Sequence, residues 1–268
     1  MIARVFPTKT NMSPTDEHAY YGLPPFWVKQ YDEVHVSCTF TWDIDEAHRL
    51  YAAWSYEHDN VKIGGVAIDG ESSKPFISGM YLKEGITITS RGCPNNCSFC
   101  LIKQPLIEFD EFPEGNVVQD NNFLACSDRH REKVYKMLRT QKSIQFKGGL
   151  EARRITSKIA EELRSLRISE LWLACDNDRD IEPLRKAVNI LKKVGFNSQL
   201  YSYVLIGKEE LRLRAVREMG VMPFAQLYQP PLKHKIDYTK EMQDYQRIMA
   251  RPAITRNIFK ALKKARGN

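Results

Sequence analysis

Between residues 81 and 230, short apolar runs alternate with stretches that carry the 3.6-residue period of amphipathic helices. No other feature constrains the fold as tightly. The strand candidates are 85–90, 116–119, 143–147, 170–174, 198–206 and 221–227. Helix-like stretches lie between several of them, such as Ile181–Val194, whose Leu184, Val188, Leu191 and Val194 share one face. Gly195 and Gly220 follow such stretches, at the position where a left-handed cap favours glycine. The run from Leu200 to Ile206 is nearly continuously apolar, as a parallel strand covered on both faces must be. Strand and helix in alternation predict an α/β fold with a parallel sheet and right-handed crossovers.

Two further regions flank this one. In residues 1–80, Glu33–Ser37 alternates like a strand, Asp43–His58 carries apolar Ile44, Ala47, Leu50 and Trp54 at helical spacing, and Val61–Ala67 reads as a strand interrupted by glycines. Together they predict a small βαβ region. Residues 231–268 start poor in apolar residues and turn helix-like from about Thr239, predicting a helical cap or tail. A chain of 268 residues, 43% hydrophobic and 27% charged, can bury one large core and a small appendage. No apolar run approaches the ~20 residues of a membrane span, and the start, MIARVFPTKT, lacks a signal-peptide core. The expectation is a cytoplasmic protein without a membrane partner. The formal charge of +7 points toward a nucleic acid or nucleotide, although solvated helix faces account for the same excess.

Three of the six cysteines fall within ten residues: Cys93, Cys97 and Cys100, at C-x3-C-x2-C spacing directly after the run Ile86–Thr89. Six cysteines with three bunched fit metal ligation in a reducing compartment better than a disulfide framework. Soft thiolates on one loop suit an iron–sulfur cluster or zinc. Structural zinc takes four protein ligands, usually as two separated pairs, and no second pair follows here. A [4Fe–4S] cluster held by three thiolates keeps one iron open for a non-protein ligand. Cys38, Cys126 and Cys175 read as small buried hydrophobes, with a reactive thiol at Cys126 as the alternative. The six histidines form no i, i+4 metal pair.

This spacing, with the aromatic Phe99 immediately before the third cysteine, resembles the cluster loop of radical S-adenosylmethionine (radical SAM) enzymes. The resemblance implies that the open iron is chelated by the amino and carboxylate groups of SAM. One electron, from a reductant such as flavodoxin or ferredoxin, then cleaves SAM to methionine and a 5′-deoxyadenosyl radical, which abstracts hydrogen from a substrate the sequence leaves open. It also implies that residues 81–230 form an open partial (β/α)6 barrel, with the site at the carboxyl ends of the strands. The segment 101–115, with Pro105, Pro113 and Gly115, departs from the family's usual first helix. Residues 1–80 resemble a truncated cobalamin-binding Rossmann-like region. They lack the Asp-x-His-x-x-Gly signature that supplies a histidine to cobalt, so bound cobalamin is not expected.

The resemblance assigns candidate SAM contacts at the strand ends. Asp120, Asn121 and Asn122 stand where the family often has Gly-Gly-Glu, and can accept hydrogen bonds from an ammonium; the alternative is an ordinary Asp/Asn turn. Gly149, Glu151 and Arg153 follow the third strand, where glycine admits close backbone approach and the charged pair offers a ribose acceptor and a carboxylate partner; a turn with a surface ion pair explains them equally. Asp176 and Asn177 end the fourth strand and read either as ligand contacts or as a helix cap. Gly207 ends the fifth strand like the family's Ile-Gly element beside adenine, with Phe99 contributing from the cluster loop. Gln226, Tyr228 and Gln229 close the sixth, facing substrate. No side chain receives a catalytic role. Two other functions fit part of the pattern: a non-catalytic iron–sulfur electron-transfer protein, and a zinc-dependent nucleic-acid-binding protein.

Overall fold

The computed structural model describes residues 1–69, 78–100, 102–206, 211–229 and 236–265. The chain forms two compact units. One comprises residues 1–88 with 109–114, the other residues 89–108 with 115–268. Both are built on parallel sheets, so the chain is α/β.

In the first unit the strands β1 (Ile2–Phe6), β2 (Ala19–Tyr21) and β3 (Glu33–Ser37) are followed by helix α1 (Ile44–Glu57) and strand β4 (Val61–Gly64). The sheet order is β2-β1-β3-β4, all parallel. The expected βαβ unit is therefore half of a four-stranded sheet. Alternation along β3 buries Val34 and Val36, and α1 presents Ala47, Leu50 and Trp54 to them with Ala3 and Val5 of β1. Short helices α2 (Val66–Asp69) and α3 (Ser78–Tyr81) and strand β5 (Gly85–Thr87) complete the unit. The glycine pair after β4 is occupied by the chain itself. A Cβ on Gly65, where φ is +110°, would lie 2.4 Å from the Cys38 carbonyl oxygen, and one on Gly64 would meet the Asp69 carboxylate. The Cys38 backbone explains Gly65, and the Asp69 side chain fills the space beside Gly64.

The second unit opens with an antiparallel ribbon, β6 (Ser90–Arg91) against β7 (Ile107–Glu108). It continues β8 (Gly115–Val118), α4 (Asp128–Thr140), β9 (Ile144–Leu150), α5 (Ser157–Ser165), β10 (Ile168–Ala174), α6 (Ile181–Lys193), β11 (Gln199–Ile206), α7 (Leu211–Glu218) and β12 (Met222–Leu227), ending in α8 (Lys240–Met249) and α9 (Pro252–Ala265). The six-stranded sheet has the order β12-β11-β10-β9-β8-β5, with the pairs from β8 to β12 parallel. All six predicted strands are present with ends shifted by a few residues. Gly195 and Gly220 adopt φ of +78° and +80° and cap their helices as expected. Among the described residues, none of 102–115 is helical.

Period-two alternation divides the residues of these strands between two faces. Leu171 and Leu173 of β10 are fully buried, as are Val204 of β11 and the helix positions Leu138, Leu163 and Leu184. The opposite face carries aromatic residues: Trp172 stacks on Tyr201 at 4.5 Å and on Tyr203 at 4.7 Å, with Phe224 edge-on to both Trp172 and Tyr203. On the same face Lys147 is ion-paired with Glu170, and its ammonium lies 4.4 Å from the Trp172 ring centroid.

Candidate metal and cofactor site

The cysteine loop is the loop of the β6–β7 ribbon. At its base the Cys93 amide donates to Gln104 O at 3.0 Å, and Gly92 (φ +79°) lies so near Pro105 that a Cβ there would be 2.0 Å from the Pro105 carbonyl oxygen. Only glycine fits that position. Near its far end, Lys103 Nζ donates to Cys97 O at 2.6 Å and to Asn96 at 3.2 Å. Two sulfurs face backbone donors: Asn95 N to Cys93 Sγ at 3.4 Å and Ile102 N to Cys100 Sγ at 3.4 Å.

All three cysteines and Phe99 line one cavity of about 490 Å³ in the second unit, together with residues from the carboxyl ends of β8 to β12. Of the residues picked out by sequence, Asp120, Asn121, Asn122, Gly149, Glu151, Arg153, Asp176 and Asn177 reach this cavity. Gln226 of β12 also reaches it, whereas Tyr228 and Gln229 bond with the following segment through Tyr238 and Ile236. Gly207 lies outside the described residues.

The side chains of several of these residues have partners that sequence does not reveal. Asp120 is fully buried, and its carboxylate accepts from Thr89 N (2.6 Å), Thr89 Oγ1 (2.5 Å) and Ser90 Oγ (2.9 Å). The protein itself supplies three donors to this carboxylate, which accepts about four, so most of its capacity toward a ligand is taken. Burial pushes its pKa up to about 6 against the pull of those donors. Asn121 Oδ1 accepts from Gly92 N at 2.9 Å. Asn122 Nδ2 donates to Glu151 Oε2 at 2.8 Å and stands 3.2 Å from Cys93 Sγ. Burial favours the neutral form of Glu151, but hydrogen bonds from Asn122, Arg154 and Asn95 outweigh it and hold the pKa below the usual carboxylate value. Arg153 pairs with Asp180 at 2.6 Å, and it is Arg154, not Arg153, that reaches Glu151. Asn177 accepts from Arg179 N in a capping box with Asp180, so the helix-cap reading holds for it. Asp176 is raised to about 6, by burial first and then by the charge of Asp180.

Sequence reasoning missed Thr89, Ser90, His130, Gln119 and Tyr203. The signal for the first two was a pair of hydroxyls just ahead of the cysteines, and for His130 a position in the first turn of a strongly polar helix. The Tyr203 ring lies against Gly149, where φ is +84° and a Cβ would come 3.5 Å from the ring, and its hydroxyl donates to Lys147 O at 2.8 Å.

The residues present fit a polynuclear cluster with an added ligand. The loop supplies three free thiols, the donor type of an iron–sulfur cluster. Among the described residues, Asp120, Cys126 and His130 form a set of three potential metal-ligating side chains whose ligand atoms all lie within 4.8 Å of one another. Asn122 Oδ1 and Gln119 Nε2, on two residues that line the cavity, are buried without a hydrogen-bond partner among the described residues. Burial, and then Cys100 and Cys93, push the Cys97 thiol up, and a bound metal would favour its thiolate.

The Asp120, Cys126, His130 group is itself a possible metal-binding set. Its centre is taken by hydroxyls: Thr89 Oγ1 bridges Asp120 Oδ2 and His130 Nε2 (3.1 Å), and Ser90 Oγ bridges Asp120 and the Cys126 thiol. Cys126 and Cys175 are buried, and burial raises both thiols to about 12, which makes them inert.

Comparison with protein-family models and with curated proteins found no match for the chain. Among the described residues, no helix is long and apolar enough to cross a membrane.

Proposed function

We propose that the protein is a radical SAM enzyme, whose Cys93, Cys97 and Cys100 hold a [4Fe–4S] cluster with one open iron. The observation that carries this reading is a loop of three free cysteines, at C-x3-C-x2-C spacing, that lines a cavity at the carboxyl ends of parallel strands. The six-stranded sheet is then an open partial (β/α)6 barrel, whose strand ends are the usual place for reactive groups. When bound, the cluster and SAM supply a 5′-deoxyadenosyl radical by one-electron cleavage of SAM, the electron coming from a flavodoxin- or ferredoxin-type reductant.

The chain's own residues bind and shield. Glu151 and Asp176, which line the cavity with the cysteines, offer carboxylates for an ammonium. Phe99 and Tyr203 give apolar surface for a purine. Phe99, Ile102, Leu150 and Tyr203 line the cavity with apolar surface and limit its water, which a radical of this kind requires. A nucleic acid or nucleotide is the substrate class that the positive charge favours, and the cytoplasm the compartment. Anaerobic reconstitution with iron and sulfide, followed by dithionite and SAM, is expected to yield 5′-deoxyadenosine. A Cys97→Ala protein that formed it equally well would refute the assignment.

A further inference from the structure

Asp120, Asn121 and Asn122 are consecutive, and each engages the cysteine loop at a different point. Asp120 takes the Thr89 amide and the Thr89 and Ser90 hydroxyls, Asn121 takes the Gly92 amide, and Asn122 reaches Cys93 Sγ. The contacts advance along both strands of chain in step, 120 to 89–90, 121 to 92 and 122 to 93. The run is itself immobilised. Val118 precedes it and Phe123 and Leu124 follow it, each 1% exposed, with Phe123 packed on Tyr135 and Phe146. Behind it, Gly148 lets the Asp120 backbone close against β9. His130 and Cys126, both buried, complete the network from the far side through the Thr89 and Ser90 hydroxyls.

We propose that Asp120-Asn121-Asn122 is a clamp that holds the cysteine loop in its ligand-ready shape in the metal-free chain, and that the Asn122 amide adjusts the reduction potential of the cluster bound there. The first half stands on the hydrogen bonds alone, and the second rests on the cluster reading above. A loop of consecutive cysteine ligands loses conformational entropy when it closes on a metal, and a clamp built from the protein's own donors and acceptors meets that cost during folding. Reduction places added negative charge on the cluster and its sulfurs. A donor facing Cys93 Sγ stabilises the reduced form and raises the potential. Asp120 and Asn121 are positioning residues in this scheme, since their partners are the loop's backbone and hydroxyls.

Hydrogen–deuterium exchange of the full-length metal-free protein tests the clamp. Peptides covering residues 88–95 are expected to be protected. Asn121→Ala is expected to speed exchange in that segment by about tenfold, the scale of one lost hydrogen bond, while peptides of α6 exchange as before. Unprotected wild-type peptides, or equal exchange in the variant, would overturn it. Asn122→Leu in reconstituted protein, followed by a spectro-electrochemical titration, tests the second half. A midpoint shifted to more negative potential at unchanged iron and sulfide content supports it, and an unshifted midpoint overturns it. A wild-type chain that shows the protection but assembles no cluster removes the cluster reading and the potential role together, and leaves the clamp standing.

Discussion

Gly148 lies so close to Asp120 that a Cβ atom on the glycine would sit 2.1 Å from the Asp120 carbonyl oxygen and 3.0 Å from its backbone nitrogen. The contact joins β9 to the segment that grips the cysteine loop, and both partners are backbone, so neither can swing aside. It makes the local fold of β9 and the shape of the candidate site one problem.

Gly148→Ala is therefore expected to destabilise the protein by about 1–3 kcal/mol through overpacking and to lower the iron retained after reconstitution. Urea unfolding and iron analysis check the two effects. Gly149→Ala, with only the Tyr203 ring nearby, suffers from its φ of +84° but does not push on Asp120, and should retain more iron than the Gly148 variant.

Cys126→Ala is expected to leave metal content unchanged. Its thiol is buried beside Ser90, and hydroxyls occupy the space a metal would need between Asp120 and His130. Elemental analysis of the variant against wild type decides it: loss of a bound metal would assign these three residues a metal site of their own.

Asp176 makes stability depend on pH. Its pKa is about 6 in the folded chain against 3.8 for the free group. A carboxyl raised on folding contributes stability that is fully present below its unfolded value and is lost as pH climbs through the folded one. Asp176→Asn removes the titration, so relative to wild type the variant should gain up to about 3 kcal/mol between about pH 4 and about pH 7. Urea unfolding of the metal-free proteins at both pH values measures it, and an unchanged difference would show that Asp176 titrates normally.

Strand β11 was legible because its apolar run Leu200–Ile206 is long and the helices on either side of it end in the glycine caps Gly195 and Gly220. Strand β1 was not legible. Arg4 sits in the middle of Ile2–Phe6 at a buried position, held by Asp16 and Met80 O, and breaks the apolar signal that its neighbours carry. The three cysteines could be read from spacing alone. The work of the Asp-Asn-Asn run could not, because amide and carboxylate groups advertise what they can bond but not which partner is nearer. Arg153 and Arg154 show the same limit: adjacent residues of equal chemistry, of which the short helical turn after β9 delivers the second to Glu151 and the first to Asp180.

The proposed chemistry depends on an iron with a free coordination position at Cys93, Cys97 and Cys100. Electron paramagnetic resonance of the reconstituted, dithionite-reduced protein, recorded with and without SAM and paired with iron and sulfide analysis, decides whether it exists. The prediction is four irons and four sulfides per chain and a reduced-cluster signal that changes when SAM is added. A protein that holds zinc without sulfide, or a cluster whose signal is indifferent to SAM, would contradict it.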